Sequence, residues 1–108
     1  MRTPASRSRR ALTVDGWTFL TNHAHVLLSI ARDPEVRLRD LAAVIGITER
    51  AAHRIVVDLE RGGYLSRQRS GRRTHYEVHP EVPLRHPVEQ HRTARSLIAL
   101  LRPERRTS

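Results

Sequence analysis

LAAVIGITERAAHRIVVDLERGGYL, residues 41–65, is the stretch that decides the fold. Leu41, Ala42 and Ile45 recur at helical spacing and give a short helix over about Arg39 to Ile45. Gly46 then falls where a helix ends in a left-handed residue, a conformation that lack of a Cβ makes easy. Ile47 reads as a buried turn residue, and Thr48 is a good N-cap for a further helix reaching about Arg61. On that helix Ala52, Ile55, Val56 and Leu59 share one side, while Arg50, Arg54 and Arg61 gather with Val57 on the other. Gly62-Gly63 stops it. The stretch is two helices joined by a tight glycine turn, the second carrying an apolar face and an arginine face.

Downstream, Tyr64–Arg69 and Arg73–Val78 alternate on either side of Ser70-Gly71-Arg72 and read as a β-hairpin. Its strands and tip carry Arg67, Arg69, Arg72 and Arg73, more charge than a core absorbs. His79–Pro83 is an extended linker. A last helix is expected from about Pro87 to Arg102, with Ala94, Leu97, Ile98 and Leu101 as its apolar stripe. Upstream, a helix is expected from about Trp17 to Arg32, with Leu20, Ala24, Leu27, Ile30 and Ala31 inward and His25, Ser29 and Arg32 opposite. Asp33-Pro34 ends it, and Val36–Leu38 reads as a short extended piece.

The fold class is therefore mainly α with a small β-hairpin, a winged helix-turn-helix with an additional C-terminal helix. Residues 1–14 read as a disordered basic arm and 15–80 as the winged helix-turn-helix. Residues 81–102 read as linker and dimerisation helix, and 103–108 as a disordered tail.

Charge points to the partner. The net charge is +9, and all 20 basic residues are arginine. Residues 50–79 hold seven arginines against three acids, whereas residues 11–49 hold three against five. That contrast implies one basic face, of the kind that meets a polyanion. Guanidinium groups fork onto phosphates and guanine edges in a way that an ammonium cannot. No stretch approaches the ~20 apolar residues of a membrane span, so no membrane partner is expected.

The pattern of Leu41-Ala42, Ile45-Gly46-Ile47-Thr48 and Leu59-Glu60-Arg61-Gly62-Gly63-Tyr64-Leu65 resembles the MarR-like winged-helix regulators of bacteria, over roughly residues 20–79. The resemblance implies double-stranded DNA as partner, with the helix over 48–61 in the major groove. It implies recognition roles for Thr48, Arg50, Ala51, His53 and Arg54, and wing roles for Arg69, Arg72 and Arg73. Arg67 joins the wing set, and Arg39, with Arg37 beside it, is placed for phosphates. Related proteins commonly open their second helix on a Thr or Ser cap, where this chain has Arg37. Independently of the family, an α-helix fits the major groove, and Arg50 and Arg54 point the same way from its N-terminal half. The plainer use of Arg54 is an i,i+4 pair with Asp58.

Operators with two-fold symmetry are read by dimers, and the candidate surfaces of a homodimer are the broad apolar arc of the first helix and the last helix's stripe of Ala94, Leu97, Ile98 and Leu101. Packing of that helix on its own domain is the other use of the stripe. A small-molecule effector is possible but not indicated, because larger regulators of this type shape their pockets with longer terminal helices.

The chain has no cysteine, which excludes disulfides and thiolate metal sites. Seven histidines are irregularly spaced, and His79, His86 and His91 with Glu81 or Glu89 form only a weak metal pattern. No metal, cofactor or catalytic site is expected, since the sequence has no phosphate loop and no triad pattern. The N-terminus lacks the apolar stretch of a secretory signal, so a cytoplasmic location is expected. Three functions stay open: a sequence-specific repressor, a nonspecific or architectural nucleic-acid binder, and a winged-helix protein-interaction module.

Overall fold

The computed structural model describes residues 16–102; the expected basic arm and C-terminal tail lie outside the described residues. Helix α1 (Asn22–Arg32) begins at Thr21, whose Oγ1 accepts from the Ala24 amide at 3.4 Å. The expected start at Trp17 is too early, because the apolar spacing runs back through Leu20 while the cap sits at Thr21. Trp17 and Phe19 stand outside the helix, exposed, and pack edge to face on each other with ring centroids 5.0 Å apart. The inward side of α1 is Val26, Leu27 and Ile30, so Val26 takes a core place outside the expected stripe. The helix stops at Asp33, as the following proline dictates.

The expected extended piece at Val36–Leu38 is not a strand, since α2 (Leu38–Ile45) takes its last residue. Arg37 is the N-cap of α2 and makes no side-chain cap bond, while Asp40 places an acid in the first turn, at the positive end of the helix. Gly46 closes α2 with φ +88, its amide donating to the Ala42 carbonyl at 2.8 Å. α3 (Glu49–Arg61) follows after a short turn, capped by the Thr48 hydroxyl on the Ala51 amide at 3.0 Å. It ends in a Schellman-like closure: Tyr64 N donates to Leu59 O at 2.9 Å, and Gly63 takes φ +85.

The hairpin is β1 (Leu65–Ser70) paired antiparallel with β2 (Arg73–Val78), in register from Leu65 opposite Val78 to Ser70 opposite Arg73. Only Gly71 and Arg72 make the turn. Gly71 has φ +63, the positive φ that two-residue hairpin loops require at their first position.

α4 spans Ala94–Leu100, far shorter than the helix expected from Pro87. Residues 83–93 instead fold into a closed loop. Pro83 bridges Thr93, Leu84 N donates to Arg92 O at 2.9 Å, and Ala94 N donates to Val82 O at 2.9 Å. Those antiparallel contacts spend backbone groups that a helix begun at Pro87 would need for itself.

Helix α1 packs on β2 and α3 on β1, and α2 joins them in one core through Leu41. Ile30, Leu41, Leu65, Val26 and Val56 are its largest fully buried side chains, each stabilising the fold by ~1.5–3 kcal/mol. Tyr64, Tyr76 and Ala94 belong to the same cluster, with Val78 and Val82 packed against it.

Candidate nucleic-acid interface

Helix α3 has a buried side, an arginine side and two flanks. Ala52, Ile55, Val56 and Leu59 are buried. Opposite them Arg50, Arg54 and Arg61 are exposed, at the spacing that aligns them along one face. Each flank carries an acid, and the two differ in neighbour: Glu60 turns to the hairpin, and Asp58 turns to α1. Thr48 spends its hydroxyl oxygen on the cap, Ala51 is half-buried, and His53 is exposed.

The hairpin sits beside α3 and sorts its arginines by strand periodicity. Leu65, Arg67 and Arg69 share a face with Tyr76 and Thr74, the face whose base is buried. Arg67 and Arg69 therefore hang over the side that meets the helices. With His53, Arg37, Arg72 and Arg73 they line an open cleft of about 500 Å³, floored by Val36, Leu38, Val56 and Tyr76. Five arginines and a histidine face one acid there, Glu35.

Two wing arginines are held by acids of the helical body. Arg67 Nε donates to Glu60 Oε2 at 2.9 Å, and Arg73 Nη2 donates to Glu35 Oε1 at 3.1 Å. Among the described residues Arg39, Arg50, Arg54, Arg69 and Arg72 make no ion pair. The i,i+4 pair of Arg54 with Asp58 does not form. Asp58 Oδ2 instead accepts from His23 Nε2 at 2.8 Å, across to α1. That hydrogen bond holds the Asp58 carboxyl below the usual carboxylate range, with the charges of His23, Arg54 and Arg61 acting the same way.

Of the expected residues, His53, Arg67, Arg69, Arg72 and Arg73 come together at the cleft, while Arg50 and Arg54 lie on the outer face of α3 and Arg39 is exposed on α2. Sequence reasoning missed the acids and the histidine that organise them. Glu35 and Arg73 are 38 residues apart, and His23 and Asp58 are 35 apart, distances over which no helical or strand period applies. The Glu60–Arg67 pair, seven residues apart across the glycine turn, had no local signal either.

At the C-terminal end, Ala94 is wholly buried in the domain's own core. Leu97 and Ile98 are half-buried, and Leu100 and Leu101 are exposed. His79 Nε2 lies 3.0 Å from Ser66 Oγ, and His86 Nδ1 accepts from the Val88 amide at 3.0 Å. Among the described residues, no group of three or more potential ligands converges as a metal would need. No described helix is long and apolar enough to cross a membrane.

Helix, glycine turn, arginine-faced helix and arginine-tipped hairpin make this a winged helix-turn-helix protein. Residues 17–73, more than half of the chain, match the model of the MarR family. The chain belongs to that family of winged-helix regulators. Among solved structures it is similar to the PcaV transcriptional regulator from Streptomyces coelicolor, determined in complex with its natural ligand. The identity is 22%, the match covers 56% of this chain and 45% of that one, and the TM-score is 0.49. This chain thus spans less than half the length of that regulator. Comparison with curated proteins finds no match.

Proposed function

We propose that the chain is a sequence-specific double-stranded DNA-binding transcriptional regulator that acts as a dimeric repressor. The observation that carries the reading is the outer face of α3, where Arg50 and Arg54 stand one turn apart, exposed and without ion-pair partners among the described residues. An arginine fork matches O6 and N7 of guanine in the major groove, and a helix face carrying two such forks reads two positions. Thr48, Ala51 and His53 flank them at the end of the helix that enters the groove. The wing arginines 69, 72 and 73, with Arg67, take the adjacent backbone or minor groove, and Arg39 takes a phosphate.

Dimerisation rests on α4. Ala94 is committed to the monomer core, which leaves Leu97, Ile98 and Leu101, joined by Leu100, as the apolar surface for a second copy. Repression needs no further activity, because a dimer seated on an operator excludes other proteins from it.

The test is selection from a random double-stranded DNA pool at about physiological salt, followed by sequencing of the retained DNA. A palindromic motif supports both regulator and dimer. Bound DNA without enrichment favours the nonspecific binder, and no retention turns attention to an acidic protein partner. The Arg50→Ala, Arg54→Ala double variant separates the first two outcomes: it abolishes preference in a specific reader and weakens all sequences alike in a nonspecific one.

A further inference from the structure

We infer that His23, on α1 and outside the recognition helix, is a positioning residue for Arg54: by holding the Asp58 carboxylate against α1, it leaves the Arg54 guanidinium unpaired for a base edge. The inference rests on the proposed DNA-binding function and deepens it.

Asp58 lies one helical turn beyond Arg54 and three residues before Arg61, so both guanidinium groups are within its field. An aspartate four residues after an arginine normally competes for it. Here the competition is won by His23, whose Nε2 is 2.8 Å from Asp58 Oδ2, and Arg54 makes no ion pair among the described residues. Helix stability does not account for the acid. Asp58 sits in the last turn of α3, where the helix macrodipole disfavours negative charge. A carboxylate on the recognition helix also repels phosphates unless another group takes it up. His23 is the group of α1 that faces it, and from α3 itself Arg54 and Arg61 do. The pair is about half exposed, so breaking it leaves the core undisturbed.

With His23 removed, Asp58 turns to Arg54. The arginine then leaves a carboxylate before it contacts a base, and that exchange lowers the preference for its base pair. The pair of substitutions His23→Ala and Asp58→Asn tests this, because Ala favours a helix at an exposed position and Asn keeps the shape of Asp. Binding is measured by titration onto the operator recovered from the random pool and onto that operator mutated at the base pair that Arg54→Ala ceases to discriminate. His23→Ala should lower discrimination at that base pair by about tenfold, the scale of one arginine–guanine contact. Adding Asp58→Asn should restore it, a rescue that a purely structural role for His23 does not give. If His23→Ala discriminates as well as the unaltered protein, or the double variant stays as poor as the single one, the inference falls while the regulator reading stands. If the unaltered protein selects no motif, the regulator reading falls and takes the inference with it.

Discussion

Glu35, in the turn between α1 and α2, holds Arg73 of the wing through Oε1 at 3.1 Å, and its Oε2 lies 3.4 Å from Nδ1 of His75, two residues along the same strand. Beside this fork the Tyr76 amide donates to the Pro34 carbonyl at 2.8 Å. A two-stranded hairpin has little stability of its own. This one is fixed by its buried base at Leu65 and Tyr76, by Glu60 on one strand and by the Glu35 turn on the other.

The Glu35 fork orients more than it stabilises. Both partners in the Glu35–Arg73 pair are more than half exposed, and such pairs are worth ~0–1 kcal/mol. Glu35→Ala should therefore shift the urea midpoint only slightly, while hydrogen exchange at the Tyr76 amide quickens markedly. An unchanged exchange rate at Tyr76 would show that the backbone bond to Pro34 holds the strand without the carboxylate.

Wing and helix should separate in their salt dependence. Removing one phosphate-binding arginine lowers the slope of log affinity against log salt by about 0.9. Arg69→Ala and Arg72→Ala, neither paired among the described residues, should each reduce the slope by that amount and weaken all sequences equally. Arg50→Ala should relax preference at one position instead. Wing variants that alter the selected motif and leave the slope untouched would place base reading in the hairpin.

The order of elements from Leu41 to Val78 was legible because each boundary carries a residue with a specific backbone task. Gly46 at φ +88, Thr48 on the Ala51 amide and Gly63 at φ +85 are local devices, and local devices are written in sequence. The two ends were harder. At Trp17 the apolar period continues past the true cap at Thr21. At Pro87 a good first-turn residue sits in a loop closed by the Pro83–Thr93 bridge, a contact between residues ten apart. The arginines of the site could be counted from the sequence. Which of them are already engaged by Glu35 and Glu60, and which acid His23 removes from Arg54, depends on packing between elements distant in the chain.

Gly63 and Gly62 should fail for different reasons when replaced. A Cβ on Gly63 meets nothing within 4 Å, so only its φ of +85 resists a side chain. Gly63→Ala should cost ~1–2 kcal/mol, and Gly63→Asn less, because Asn tolerates the left-handed region. At Gly62 the backbone is ordinary, but a Cβ would stand 3.0 Å from two atoms of the Tyr64 ring. Gly62→Ala should displace Tyr64 and with it the hydroxyl bond to the Pro83 carbonyl. Thermal melts rank the costs, and Tyr64 ring shifts in NMR spectra distinguish the mechanisms. Equal behaviour of Gly63→Ala and Gly63→Asn would mean that φ is not what limits that position.

Alkali should unfold this domain through its two tyrosines. Burial pushes the Tyr64 and Tyr76 phenols above the usual tyrosine range, outweighing the lowering influence of Arg85 on the first and Arg67 on the second. A raised folded-state value means that the fold favours the neutral phenol. The stability tied to it is complete below the ordinary tyrosine pKa of ~10. It is lost as pH rises from there through the folded-state values. The urea midpoint should hold level from neutrality to about pH 9 and then fall. Tyr76→Phe should flatten that fall, because the ring still fills its place in the core and nothing remains there to ionise. Tyr64→Phe should flatten it too, from a baseline lower by ~1 kcal/mol for the lost bond to Pro83. A midpoint that falls equally in the double Phe variant would assign the alkaline transition to other groups and remove the tyrosines from the account.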